Sequence, residues 1–186
     1  MSTFDITIIT PTIPKRSNLL VEAINSVENQ RVKAKNHLIG VDLQKMGPAK
    51  MRNLLVNNVD TEWVAFLDDD DIVYDNHIEE YAKVHEQSDM IYTWCDSIGR
   101  ENFNPNSHFD PNRLLQGNYI PVTAAVRTSV FREVGGFSLE DRYVQADPTE
   151  DWNLWLKLLH ANARFTCVPV KTWCYRFLGS NRTFGG

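Results

Sequence analysis

Two groups of carboxylates have the types and spacing to do chemistry, one at residues 68–71 and one at Glu150 and Asp151. The first follows Trp63, Val64, Ala65, Phe66 and Leu67, an uninterrupted apolar run of the kind that forms a strand buried on both faces. Asp68, Asp69, Asp70 and Asp71 then succeed one another without a spacer. Carboxylates this close repel one another, and at the tip of a buried strand they stay ionised only if positive charge sits among them. A divalent cation supplies that charge most simply. Hard oxygen donors in a small cluster suit Mg²⁺ or Mn²⁺, and Mg²⁺ keeps coordination positions for substrate phosphates. The competing reading is a solvated acidic loop. An EF-hand is excluded, because Ile72 and Val73 stand fifth and sixth from Asp68, where a ligand and a turn-making glycine belong. Position favours the cation, since α/β sheets collect their ligands at the carboxyl ends of strands.

Glu150 and Asp151 follow Pro148 and Thr149 and open an apolar run containing Trp152, Trp155, Leu156 and Leu159. Acidic residues in a first helical turn interact favourably with the helix dipole, so plain capping accounts for them. The same physics holds a carboxylate ionised at neutral pH, ready to accept a proton. On that second reading one acidic group holds a metal and the other supplies a general base.

Apolar spacing predicts the elements that carry these groups. A short first strand over 6–9 is closed off by Pro11 and Pro14. A helix over 18–29 sets Leu19, Leu20, Ala23, Ile24 and Val27 on one face, with Ser17 or Asn18 as its cap. A strand over 37–41 ends at Asp42. Gly47-Pro48 opens a helix with Met51, Leu54 and Leu55 as its buried stripe and Arg52 and Asn53 on its flank. After the acidic strand come a helix with Ile78, Tyr81, Ala82 and Val84 inward, and a strand over 90–94. His77 and His85 fall on the charged side of that helix and are expected to be exposed. From 96 to 118 the chain is a loop rich in Asn and Pro, long enough to be functional. A strand over 122–126, a tight turn at Gly135-Gly136-Phe137, the helix after Thr149 and two strands over 164–170 and 171–175 complete the chain, with a loose tail at 179–186. Strands alternating with helices imply an α/β fold, its mostly parallel sheet covered on both faces and mixed in the second half. Neither GxGxxG nor a Walker A run occurs.

A chain of 186 residues with 42% apolar residues, no repeats and no boundary is expected to form one domain over 1–186. A net charge of −5 with no dense Lys/Arg block argues against tight nonspecific binding to nucleic acid. No apolar segment approaches the length of a membrane span, and the N-terminus has no basic region ahead of its apolar run, so the expected location is the cytoplasm. Cys95, Cys167 and Cys174 are odd in number and lack CxxC spacing, which reads as buried free thiols.

Taken in order, IITPT, INSVENQ, PAKMRN, AFLDDDD, VGGF, PTEDWNLWLKL and WCYRF resemble, over nearly the whole chain, the glycosyltransferases of the Rossmann-like GT-A fold, and most of all the inverting family 2. The resemblance implies metal-dependent, inverting transfer from a nucleotide-diphosphate sugar to an acceptor hydroxyl, with Mn²⁺ or Mg²⁺ as cofactor. Carried over by residue, Thr10 and Asp42 contact the nucleotide base and Arg52 lies near the nucleotide. Asp68 and Asp69 approach the ribose and the metal shell, and Asp70 ligates the metal, with Asp68 as a second ligand. Asp151 is the base, Glu150 shapes the acceptor site, and Gly136, Phe137 and the region of Asn118 border the acceptor. Trp152, next to the base, is the tryptophan expected to stack on a sugar, and Tyr175 and Arg176 are within reach of the diphosphate. VDLQKMG stands where the family often carries a VDDGSxD-like stretch, which leaves Asp42 as its remnant. That departure leaves the base preference open: UDP is the favoured nucleotide, with GDP and dTDP as alternatives. The acceptor is a glycan, a lipid carrier, a protein hydroxyl or a modified DNA base. A nucleotidyltransferase uses the same metal chemistry, but TPTIPKRSN offers Lys15 and Arg16 without the glycines its loop requires. A non-catalytic nucleotide-sugar or protein-binding module is favoured by the reduced base-binding motif and opposed by Asp68, Asp70 and Asp151 together.

Overall fold

A computed structural model describes residues 2–99, 106–138 and 149–177. Part of the Asn-rich loop (100–105), Pro148 and the tail at 179–186 lie outside the described residues. The elements in chain order are β1 (Thr3–Thr12), a 3-10 turn (Pro14–Arg16), α1 (Ser17–Glu28), β2 (Lys33–Val41), α2 (Pro48–Val56), β3 (Trp63–Phe66), β4 (Ile72–Val73) and α3 (His77–Val84). A second 3-10 turn (His85–Gln87), β5 (Met90–Ile98), α4 (Pro111–Leu114), β6 (Ala124–Arg127), α5 (Thr128–Glu133), α6 (Glu150–His160) and β7 (Phe165–Arg176) follow.

Seven strands form one sheet in the order β2-β1-β3-β6-β5-β7-β4. β1 pairs in parallel with β2 and β3, and β5 in parallel with β7, while β6 and β4 run against their neighbours. The sheet is therefore mixed but mostly parallel, as the alternation of elements implies. The apolar run at 63–67 is continuous because both faces of β3 are covered. Val64 and Phe66 join one core with Leu114, Phe131 and Trp155, and Trp63, Ala65 and Leu67 join the other with Ile8, Ile78 and Trp173.

Several elements depart from the expectation, each for a local reason. β1 runs straight through Pro11, paired with Gly40. Thr12 O accepts from Asp42 N–H on the β2 side and Ile9 O from Leu67 N–H on the β3 side. Alternation then turns Pro11 toward β3, which has already ended at Phe66, so its missing donor is not needed. The two final strands are one, β7, whose break in pattern is absorbed by register shifts opposite Trp94 and Cys95. α1 has no side-chain cap, its first turn continuing directly from the 3-10 turn. Leu54, expected inside, is 50% exposed, whereas Arg52, expected on the flank of α2, is 2% exposed. Cys95 and Cys174 are buried, Cys167 partly so, and all three are free thiols. Among the described residues no helix is long and apolar enough to cross a membrane.

His77 corrects another expectation: it is buried rather than exposed, its ring 4.5 Å from that of Tyr81 and its Nδ1 2.6 Å from Thr172 Oγ1. Burial lowers its pKa from the ordinary 6.5 to about 3. A histidine held neutral in the fold but free to charge when unfolded makes stability fall as pH drops below 6.5 and approaches 3. The expected contribution is about 1.4 kcal/mol per pH unit within that window. In urea titrations between neutral pH and mild acid, His77→Gln should show a shallower loss of stability than the wild type. An identical slope would show that His77 does not carry this penalty.

Candidate active site

The site forms where β1, β2, β3 and β7 end, at the carboxyl edge common to the parallel strands. Beyond Leu67 the chain turns tightly, with Asp71 N–H donating to Asp68 O at 3.2 Å. This turn brings one carboxylate oxygen each from Asp68, Asp70 and Asp71 within 4.8 Å of one another. Asp69 faces another way. Its carboxylate accepts from Thr12 Oγ1 at 2.6 Å and from Arg16 Nη1 at 2.8 Å, and the same guanidinium nitrogen lies 3.0 Å from Asp70 Oδ2.

Asp71 and Arg16 are the members of this cluster that sequence reasoning left without a role. Asp71 is 2% exposed and accepts the main-chain N–H of Arg176 at 2.9 Å. Its place in the acidic run was the available signal. Arg16 had none, because its partners lie 53 and 54 residues away. The side chain of Arg176 pairs with Glu22 at 2.8 Å.

Charge in the cluster is out of balance. Burial pushes the Asp70 carboxyl up to about 6, with Asp68 adding to the rise and Arg16 opposing it. Asp71 is raised by burial and then by Asp68. Clustered oxygen donors, with Asp70 and Asp71 held back from ionising chiefly by burial, suit a hard divalent cation, whose charge offsets that cost on binding.

Arg52 connects this cluster to the second acidic group. Its Nη2 lies 2.5 Å from Asp68 Oδ1 and its Nη1 3.3 Å from Glu150 Oε1, while Nε has no partner among the described residues. The guanidinium also stands 5.3 Å from the centre of the Phe137 ring. Phe137 is held in place by Asn53, which donates to its carbonyl at 2.8 Å and accepts from its N–H at 3.0 Å. Gly135 and Gly136 make that approach possible at φ +78° and +63°, and a Cβ on Gly136 would meet Asn53 Oδ1 at 2.7 Å. A cleft of about 450 Å³ opens between α2 and α5, lined in part by Asn53, Leu54, Phe131 and Gly136.

Asp151, in the first turn of α6, is half-buried. Its Oδ1 accepts from Trp152 N–H at 2.8 Å and its Oδ2 from Asn118 Nδ2 at 3.0 Å. Burial raises its carboxyl above the usual range, and Glu150 adds to this. Trp152, expected to stack on a sugar, is instead a core residue at 9% exposure with its Nε1 donating to Leu114 O at 2.8 Å. Thr10 and Asp42 stand at the ends of β1 and β2 with their polar atoms engaged. Thr10 is fully buried with Oγ1 2.9 Å from His37 Nε2. Asp42 accepts from the N–H groups of Met46 at 2.9 Å and Gly47 at 2.8 Å, which holds its carboxyl below the usual range and closes the loop before α2. Arg52, Asp68, Asp69, Asp70, Glu150 and Asp151 thus form one connected constellation, with Thr10 and Asp42 on its strand-end border.

Residues 34–144 match a family described as Glycosyl transferase family 2, more than half of the chain. No curated protein matches it. Among solved structures, S. aureus TarS 1-349 superposes with a TM-score of 0.74 at 17% identity, over 95% of this chain and 60% of that one. TarS 1-349 in complex with UDP-GlcNAc gives 0.73 at 16% identity, over 98% and 62%. Its complex with UDP gives 0.72 at 17%, over 95% and 61%. The chain therefore spans about 60% of the length of these structures, and at such identities the likeness is one of fold.

Arg52→Met keeps apolar volume but leaves Asp68 and Glu150 without their shared counter-charge. The expected loss of unfolding free energy is about 3 kcal/mol by chemical denaturation near neutral pH. Adding Asp68→Asn to that variant should recover part of the loss. Equal stability of wild type and Arg52→Met would refute the bridge.

Proposed function

The chain belongs to glycosyl transferase family 2, and on that premise we propose that it moves a sugar from a nucleotide-diphosphate sugar, UDP-sugar favoured, to an acceptor hydroxyl with inversion of configuration. The GT-A fold frames the chemistry. The observation that carries the reading is the Arg52 bridge, which joins an oxygen-donor cluster at a strand end to a half-buried carboxylate pair at a helix start. Solved structures of the TarS fold in complex with UDP and UDP-GlcNAc support the choice of nucleotide. The reading takes residues 1–186 as one catalytic domain.

Asp70 and Asp68, with Asp71, are the residues to hold Mn²⁺ or Mg²⁺. Such a cation, when bound, supplies positive charge to a departing diphosphate. Asp69, locked by Thr12 and Arg16, keeps the acidic turn in one conformation and borders the ribose side. Thr10 and Asp42, buried at the strand ends, stand behind the approach of the nucleotide base, and Arg52 stands between donor and acceptor. Asp151 takes the proton of the acceptor hydroxyl as that oxygen attacks the anomeric carbon from the face opposite the diphosphate. Its carboxyl, raised by burial, is a stronger base than an exposed aspartate. Glu150, tethered by Arg52, shapes the acceptor side. The acceptor class remains a hydroxyl of a glycan, lipid carrier, protein or modified DNA base.

Binding and slow hydrolysis of UDP-, GDP- and dTDP-sugars, each with Mn²⁺, Mg²⁺ or chelator, test this reading directly. Asp70→Ala should lose metal-dependent binding, and Asp151→Asn should keep binding but lose roughly 10²- to 10⁴-fold in turnover. Failure of every nucleotide sugar to bind, with or without metal, would overturn the assignment. Because Asp70 must be ionised to ligate, apparent Mn²⁺ affinity should fall by up to about tenfold per pH unit below about 6, as measured by calorimetry. An affinity flat across that range would remove Asp70 from the ligand set.

A further inference from the structure

The segment joining α4 to β6 is fastened to α6 by two indoles. Trp152 Nε1 donates to Leu114 O at 2.8 Å and Trp155 Nε1 to Ile120 O at 2.9 Å. Both rings are buried, where water cannot replace a lost partner. Between these anchors the Tyr119 hydroxyl is 2.7 Å from the Asp110 N–H, and its ring lies 4.4 Å beneath the Arg113 guanidinium. Asn118 therefore enters the site on a segment with little freedom. Its amide has only one workable orientation: Ile120 N–H donates to Oδ1 at 3.1 Å, so the Nδ2 end must face Asp151, 3.0 Å from Oδ2.

From these contacts we infer that Asn118 is a positioning residue for sugar transfer, its amide clamping Asp151 in the rotamer that presents a carboxylate lone pair to the acceptor hydroxyl. The inference rests on the reading of Asp151 as base. Trp152 N–H holds one carboxylate oxygen and Asn118 the other, so the plane of the group is set from two elements, α6 and the 114–120 segment. Among the described residues, the charged groups acting on Asp151 are Glu150 from α6, which disfavours its ionisation, and Arg52 from α2, which favours it. A neutral amide donating to Oδ2 works with Arg52, and its removal leaves Glu150 less opposed. The tryptophans then serve the reaction indirectly, by fixing the segment that carries the amide.

Asn118→Asp and Asn118→Leu separate positioning from mere loop structure. The aspartate is nearly isosteric and still accepts from Ile120 N–H, but it sets an anion against Asp151. Titration of ¹³C-labelled aspartate carboxyls by NMR, with the Asp151 signal assigned from its absence in Asp151→Asn, needs no substrate. Asp151 should titrate about one pH unit higher in Asn118→Leu and higher still in Asn118→Asp. For hydrolysis of UDP-GlcNAc, kcat at neutral pH should fall roughly 10- to 100-fold with KM for the donor unchanged, and the acid limb of the pH profile should move up in parallel. If Asp151→Asn is inactive while both Asn118 variants keep the wild-type titration and profile, the positioning role is wrong and the base assignment stands. If Asp151→Asn is as active as the wild type, the base assignment fails and takes the inference with it.

Discussion

A guanidinium that is 2% exposed is tolerable only while anions offset its lost hydration, and Arg52 finds them in Asp68 and Glu150. One partner follows β3 and the other begins the helix α6, so the charge balance of a single side chain ties strand and helix together. The support extends outward. Phe137 provides the aromatic face beneath the guanidinium, Asn53 holds Phe137 from the same helix that carries Arg52, and two glycines in left-handed conformations let that loop come close enough. Each of these features is a structural need of Arg52 before it is anything else.

The acidic turn is the counterpart of this arrangement. Thr12, Arg16 and the Arg176 main chain each satisfy one part of it, yet Asp70 and Asp71 remain harder to ionise than ordinary aspartates. A surface loop would relax such repulsion by splaying its side chains into water. Here the buried end of β3 and the pairing of β4 with β7 keep the run compact on both sides. Because the fold keeps these oxygens together, a divalent cation placed among them would offset the cost of ionising Asp70 and Asp71.

At the other end of the Arg52 bridge, α6 combines two tasks in one sequence. Its first turn carries Glu150 and Asp151, and the next residues, through Trp152 and Trp155, grip the segment from Leu114 to Ile120. Tryptophans beside a proposed sugar site invite a stacking role, but their burial and their indole hydrogen bonds show that they hold backbone. The polar side chain delivered to Asp151 is an amide from across the chain, one that neither spacing nor composition singles out.

Periodicity and local chemistry carry part of this structure. The run at 63–67 had to be a strand covered twice, its acidic end had to project from the sheet, Glu150 and Asp151 had to open a helix, and Gly135-Gly136 had to turn. The alternation of elements was enough for the mixed, mostly parallel sheet. The tertiary structure decided everything that depended on partners distant in sequence. Helical spacing put Arg52 on a flank, but its carboxylates are 16 and 98 residues away. His77 looked exposed because its helix is charged, and Thr172, 95 residues on, is what draws it inside. Pro11 read as a strand end until the early finish of β3 made its missing donor harmless. Local patterns record where a side chain can point. Whether a buried charge is tolerated there depends on the opposite charge that folding brings to it, and that pairing is not written at either residue.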